Sequence, residues 1–143
     1  YLGGRMDLND GVETMSMDGT SRRPPLPGLS DSEKRCVYYY SLLPNFLIAP
    51  HPEYVMIHTL WPQAPNRTRI DCEWLVHPDE LAKPDFDFSD AREFWDLTNR
   101  QDWQVCEQAQ AGISSPGYRP GPYSNREDLL YAFDRFIVKA LAD

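Results

Sequence analysis

Cysteine, histidine and positive charge are all scarce in this chain. Its three cysteines, Cys36, Cys72 and Cys106, stand 36 and 34 positions apart with no C-x-x-C pair. That is neither a disulfide framework nor a zinc spacing, and it suits a reducing, cytoplasmic compartment. Lys and Arg number 14 against 22 Asp and Glu, giving a net charge of −8 over 143 residues. A nucleic-acid partner, which calls for a basic stripe, is excluded on that balance. No apolar run approaches the ~20 residues that cross a bilayer, so no helical membrane span is expected. A Gly-rich phosphate loop, a nucleophile elbow and a Ser-His-Asp set are missing as well. Among the three histidines no H-x-x-x-H or H-E-x-x-H occurs.

What is present is globular: 41% hydrophobic, 25% charged and 13% aromatic residues, too apolar for disorder. The length suits one ordinary domain or a piece of a larger one. The chain opens at Tyr1 with neither an initiator Met nor a signal pattern, so a piece of something longer is expected. Asn66-Arg67-Thr68 fits a glycosylation sequon but is read as a chance match within a turn.

Residues 1–35 are poorly periodic. A short alternating stretch at 12–18 predicts a strand, and Arg22-Arg23-Pro24-Pro25-Leu26-Pro27-Gly28 predicts a loop. From Cys36 the pattern turns to β, with strands expected over 36–43, 46–49, 54–61 and 68–76. The last two flank a hairpin loop at 62–67. In the final strand Ile70, Cys72, Trp74 and Val76 alternate with Arg69, Asp71 and Glu73, which describes one buried and one wet face. From Ser89 the period becomes helical. Asp90 and Glu93 suggest a capping box for a helix to about Gly112, and Ser124 and Glu127 suggest one for a last helix striped by Leu130, Phe133, Ile137, Ala140 and Leu141. Strands first and two helices last make an α+β chain with helices on an antiparallel sheet.

One acid of the first helix is out of place. At about 100° per residue, Ala91, Trp95, Thr98, Asp102, Val105, Cys106, Ala109 and Ile113 share the apolar face, whereas Glu93, Asp96, Arg100 and Glu107 lie opposite. Asp102 is therefore expected at the middle of a buried stripe, where an ionised carboxylate needs a cation, a metal or a donor network. An ion pair with an Arg of residues 1–35, or a cap for a nearby loop, is one reading; a metal ligand or catalytic carboxylate is the other. Spacing does not choose between them. His51, between two prolines, His58 and His77 are expected as turn or surface histidines, and Cys106 as a small buried hydrophobe. Tyr38, Tyr39 and Tyr40 with Trp61, Trp74 and Trp95 either line a pocket for an aromatic or quaternary ammonium ligand or simply pack the sheet.

Leu43-Pro44-Asn45-Phe46 with Pro52-Glu53-Tyr54-Val55, Asn99-Arg100-Gln101-Asp102-Trp103 leading into Glu107-Gln108-Ala109-Gln110-Ala111-Gly112, and Gly117-Tyr118-Arg119-Pro120-Gly121 follow one another in an order that resembles a known family. The chain is similar, over roughly residues 12–141, to the C-terminal part of the catalytic domain of Rieske non-haem iron oxygenase α subunits. These are the ring-hydroxylating dioxygenases and their choline-monooxygenase-like branch. The resemblance implies a helix-grip (START-like) fold, a curved antiparallel sheet around a long helix, present in residues 1–143 as a partial domain. It also implies a mononuclear iron held by two histidines and one carboxylate, and Asp102 matches the carboxylate. Thr98 and Cys106, one turn to either side, would then help shape the substrate pocket. The Cys-x-His and Cys-x-x-His signature of a [2Fe–2S] Rieske cluster and the H-x-x-x-x-H iron pair are not in this sequence and are expected upstream of it.

The activity implied is hydroxylation of an aromatic compound or a quaternary amine with O2. Electrons would come from a reductase or ferredoxin through the Rieske cluster, in an enzyme that is commonly a trimer. The 143-residue chain alone is expected to bind iron weakly and to be inactive. The alternative from another class is a non-catalytic helix-grip module that binds a small molecule.

Overall fold

A computed structural model describes residues 1–142. Five strands, β1 (Leu2–Asp7), β2 (Cys36–Leu42), β3 (Phe46–Pro50), β4 (Tyr54–Ala64) and β5 (Arg67–Val76), form one antiparallel sheet in chain order. A short α1 (Pro78–Leu81), the long α2 (Ser89–Ile113) and α3 (Asp128–Ala142) follow. The α+β class and the long helix laid on one face of an antiparallel sheet agree with the helix-grip expectation. Among the described residues no helix is long and apolar enough to cross a membrane.

The four strands expected from Cys36 onward are present, and the β4–β5 hairpin runs further than anticipated. Its ladder extends from Tyr54↔Val76 to Ala64↔Arg67 with a bulge between Pro62 and Ala64, which leaves only Pro65 and Asn66 as the turn. Residues 12–18 are not a strand. The amides of Glu13 and Thr14 both turn back onto the carbonyl of Gly19, and Gly11 and Gly19 take positive φ at the ends of that loop. The unanticipated strand is β1, which pairs along β2 from Leu2↔Ser41 to Asp7↔Cys36. Gly3 is required there, since a Cβ would stand 2.3 Å from the Tyr39 carbonyl oxygen.

The register assigns Tyr39, Ala49, Met56, His58, Cys72 and Trp74 to one face of the sheet. On this face Ala49, Tyr54 and Met56 meet Ala91 and Trp95 of α2 to form the core, rimmed by Tyr39, Trp74 and Phe88. Only the N-terminal half of α2 is covered: its buried residues are Asp90, Ala91, Trp95 and Asn99. Past Asn99 the stripe is open, with Val105 at 63% and Ile113 at 52% exposure, and Cys106 is exposed rather than buried.

Asp90 does not cap α2. Asp87 takes that part, its Oδ1 accepting from the Ser89 amide, while Asp90 turns inward to Arg23. Ser124 and Glu127 do make side-chain bonds to the backbone, Glu127 accepting from the Ser124 amide and Ser124 Oγ from the Arg126 amide, but in the turn that precedes α3, which starts at Asp128.

Candidate active site

A cleft of about 830 Å³ opens between the helix-bearing face of the sheet, α2 and α3. The alternation of β1 to β4 sends Met6, Tyr39, Leu47, Met56 and His58 into it. Trp95, Asn99 and Asp102, four and then three residues apart, descend from α2, and Leu130 and Phe133 come from the α3 stripe. The walls are apolar and aromatic, with a small polar group of His58, Asn99 and Asp102 at one side, the make-up of a small-molecule site.

That polar group is ordered by Asn99, which the sequence pattern left off the apolar stripe in favour of Thr98 and which the structure buries instead. Asn99 is buried. Its Nδ2 donates to Cys72 Sγ at 3.7 Å, which turns Oδ1 toward His58 Nε2 at 3.3 Å. The amide orientation makes Nε2 the protonated nitrogen of a neutral His58. Partial burial lowers the His58 pKa from its ordinary value, opposed by the Asn99 bond and by the negative charge of Asp102.

Asp102 lies on the expected face but is exposed, not buried at the centre of the stripe. The cause is the separation of α2 from the sheet beyond Asn99. A second groove of about 450 Å³ stands between the β4–β5 hairpin tip and the stretch from Trp103 to Gln110. Among the described residues no hydrogen bond or ion pair engages the Asp102 carboxylate, in contrast to Asp87, Asp90 and Asp96, each held by an arginine.

Thr98 is half-buried and its Oγ1 donates to the Phe94 carbonyl, while Cys106 lines the second groove with Trp103 and Ile70; neither lines the cleft that holds Asp102. Of the named aromatics, Tyr39, Tyr40 and Trp95 reach the cleft. Trp74 packs against the core and exposed Trp61 donates to Asp71.

The histidines divide three ways. His58 faces the cleft. His77 accepts from the Asp79 amide at the start of α1. His51, expected in a turn or on the surface, is buried at 3% exposure, stacked on Tyr54 at 4.3 Å and edge-on to Trp95 at 5.5 Å. Among the described residues neither of its ring nitrogens has a partner, and burial pushes its pKa down to about 3, so the ring is neutral. Pro50 and Pro52 bend the chain so that this turn folds inward, with the Leu26 amide closing it through the Pro52 carbonyl.

A metal centre of the two-histidine, one-carboxylate kind is not assembled by these residues alone. Among the described residues no three His, Cys, Asp or Glu side chains converge. What fits such a centre is one free carboxylate on a rigid helix beside a cleft, that is, a single ligand.

Residues 1–143 match the family described as the ring hydroxylating alpha subunit, catalytic domain. Over 120 residues the chain is 36% identical to the glycine betaine monooxygenase oxygenase subunit of Pseudomonas aeruginosa, in each of two strains, covering 84% of this chain and 28% of that protein. It is 33% identical over 120 residues to the subunit of the same description in Chromohalobacter salexigens, covering 84% and 27%. The chain thus spans little more than a quarter of the length of these relatives.

Proposed function

The chain belongs to the ring-hydroxylating α-subunit family, and on that premise we propose that it is the substrate-cleft portion of a cytoplasmic Rieske-type oxygenase. The intact protein would hydroxylate a quaternary amine with O2, drawing electrons from a reductase or ferredoxin partner through a [2Fe–2S] cluster. Like the two iron-ligating histidines, that cluster would lie in parts of the protein other than residues 1–143, and the working assembly is a homotrimer.

The observation that carries the proposal is the unengaged Asp102 carboxylate at an aromatic cleft, within the Asn99–Trp103 motif. Asp102 supplies the carboxylate ligand of the mononuclear iron, and α2 fixes its direction through the buried Trp95 and Asn99. The iron, when bound, supplies oxygen activation; the chain's own residues bind and orient the substrate. Tyr39, Trp95 and Phe133 line the cleft with the aromatic rings that suit a trimethylammonium group, and the relatives named for glycine betaine support that substrate class. Neutral His58, held by Asn99, leaves Nδ1 as an acceptor in the cleft. A non-catalytic binding module would account for the aromatic walls but not for an unneutralised acid among them.

The test is Asp102→Ala in the full-length protein. Mononuclear iron and turnover are lost while the visible spectrum of the Rieske cluster is unchanged; normal mononuclear iron in that variant refutes the assignment. In the same preparation the unsubstituted protein is stabilised thermally by glycine betaine and not by benzoate. The reverse pattern replaces the quaternary amine with an aromatic substrate.

A further inference from the structure

Behind the cleft wall lies a buried polar cluster that the oxygenase chemistry does not use. Arg23, from the loop between β1 and β2, reaches the start of α2 with a side chain only 2% exposed. Its guanidinium forks onto both Asp90 oxygens at 2.8 and 3.1 Å, donates to the Asp87 carbonyl at 2.8 Å and stands 4.6 Å above the Phe88 ring. One cation and one carboxylate are thereby matched.

A second carboxylate is left over. The Glu53 side chain is 1% exposed and, among the described residues, neither of its oxygens receives a well-formed hydrogen bond; its approach to Arg23 Nη2, 3.8 Å, is too long for one. The Thr14 hydroxyl, also buried and unpartnered, lies beside both Glu53 and the Tyr54 hydroxyl. Tyr54, fully buried, accepts from Trp95 Nε1 at 2.6 Å, and Trp95 is the cleft wall.

We propose that Glu53 is held in the fold as a neutral carboxylic acid and acts as a positioning residue, fixing Trp95 at the cleft through Thr14 and Tyr54. A neutral Glu53 leaves the cluster with zero net charge, Arg23 against Asp90 alone. An ionised Glu53 would add a second buried carboxylate to a cluster whose single cation is already forked onto Asp90, leaving a net negative charge that a buried site does not tolerate. The hydroxyls can link the two ends in one direction: Tyr54 O–H to Thr14 Oγ1 and Thr14 O–H to the Glu53 carbonyl oxygen, with the Tyr54 oxygen kept for Trp95 Nε1. The titratable and charged groups facing Glu53 are Arg23, Asp90 and Tyr54, with His51 two residues away and neutral; none adds a second cation. Burial drives the Glu53 pKa upward from 4.5, with Thr14 and Arg23 opposing and Asp90 assisting. Nothing here requires iron, so the proposal stands or falls apart from the oxygenase assignment.

The sign of the pH dependence follows. Above the ordinary carboxylate range the unfolded chain releases a proton that the fold retains, so Glu53 lowers stability progressively as pH rises from about 4.5 toward its folded value. In the full-length protein, Glu53→Gln keeps the shape and a donor. It is expected to melt higher than the unsubstituted protein, by a margin that grows as pH rises above about 4.5. Glu53→Ala, which breaks the chain of hydroxyls, lowers the melting temperature and weakens the tryptophan bands in near-ultraviolet circular dichroism, and Glu53→Gln retains both. The infrared difference between the unsubstituted and Gln proteins at neutral pH shows the carbonyl stretch of a protonated carboxylic acid, and Thr14→Val moves that band without removing it. An ionised Glu53 paired to Arg23 gives the opposite: Glu53→Gln melts lower at pH 8 and no acid band is lost. Either result overturns the proposal.

Discussion

Arg23→Ala removes the cation that ties the β1–β2 loop to α2. The substitution deletes both charge-assisted bonds to Asp90, the bond to the Asp87 carbonyl and the contact with Phe88. Breaking one side of a buried pair costs about 3–5 kcal/mol, because the partner is left as an uncompensated charge. Asp90, with a side chain 6% exposed, is in that position. The contact over Phe88 adds about 0.5–1 kcal/mol, and the terms are not independent, so about 4 kcal/mol is expected in total. Against a typical domain stability of about 5–15 kcal/mol this is a large fraction. Urea unfolding of the full-length protein measures the loss, and hydrogen exchange locates it in residues 8–35 and the first turn of α2. The double variant Arg23→Met/Asp90→Leu replaces the pair with apolar groups of similar size and recovers most of the loss, since such replacement is often neutral or better. A cost below about 1 kcal/mol for Arg23→Ala would mean that water reaches the pair. A double variant no better than the single would mean that the arginine acts through shape rather than charge.

Two further substitutions test other parts of the framework. Gly3→Ala forces a Cβ to within 2.3 Å of the Tyr39 carbonyl and is expected to destabilise by about 1–3 kcal/mol by loosening β1, whereas Gly4→Ala, with nothing within 4 Å, is the neutral control in the same thermal melt. His51→Phe replaces an imidazole with no partner by a ring of similar shape. The His51 pKa is depressed, so its contribution is intact above pH 6.5 and lost as pH falls toward about 3. Melting curves of the Phe variant are therefore flatter on the acid side by up to about 1.4 kcal/mol per pH unit; an unchanged acid slope would show that His51 is already protonated in the fold.

The parts of the molecule legible in the sequence were those set by short-range periodicity. β5 announces itself because Ile70, Cys72, Trp74 and Val76 alternate with charged neighbours, and α2 because Ala91 and Trp95 recur at helical spacing. β1 does not, since Leu2-Gly3-Gly4-Arg5-Met6-Asp7 has neither alternation nor β-branched residues, and its pairing is dictated by close approach to β2. His51, between Pro50 and Pro52, and Glu53, just after them, gave no sign of burial because polar residues at a proline turn read as surface; here the β1–β2 loop covers that turn, a contact no local pattern encodes.

Asp90 and Asp102 show the same limit within one helix. The apolar stripe drew attention to Asp102 as the buried acid and offered an arginine of residues 1–35 as its partner. That arginine exists, but it is Arg23 and it holds Asp90, 67 positions away in sequence. Periodicity gives the direction of a side chain from the helix axis; it does not give where along the helix the sheet stops. The sheet covers α2 as far as Asn99, so the acid near the N-terminus is sealed and neutralised, and the acid one turn beyond Asn99 faces an open cleft without a partner. A carboxylate kept on the inward stripe of a helix yet denied the ion pair given to its neighbours has its charge available. This availability is what a metal ligand needs and what a structural acid does not, and it is why the iron ligand is proposed at Asp102, while Asp90 holds the fold through Arg23.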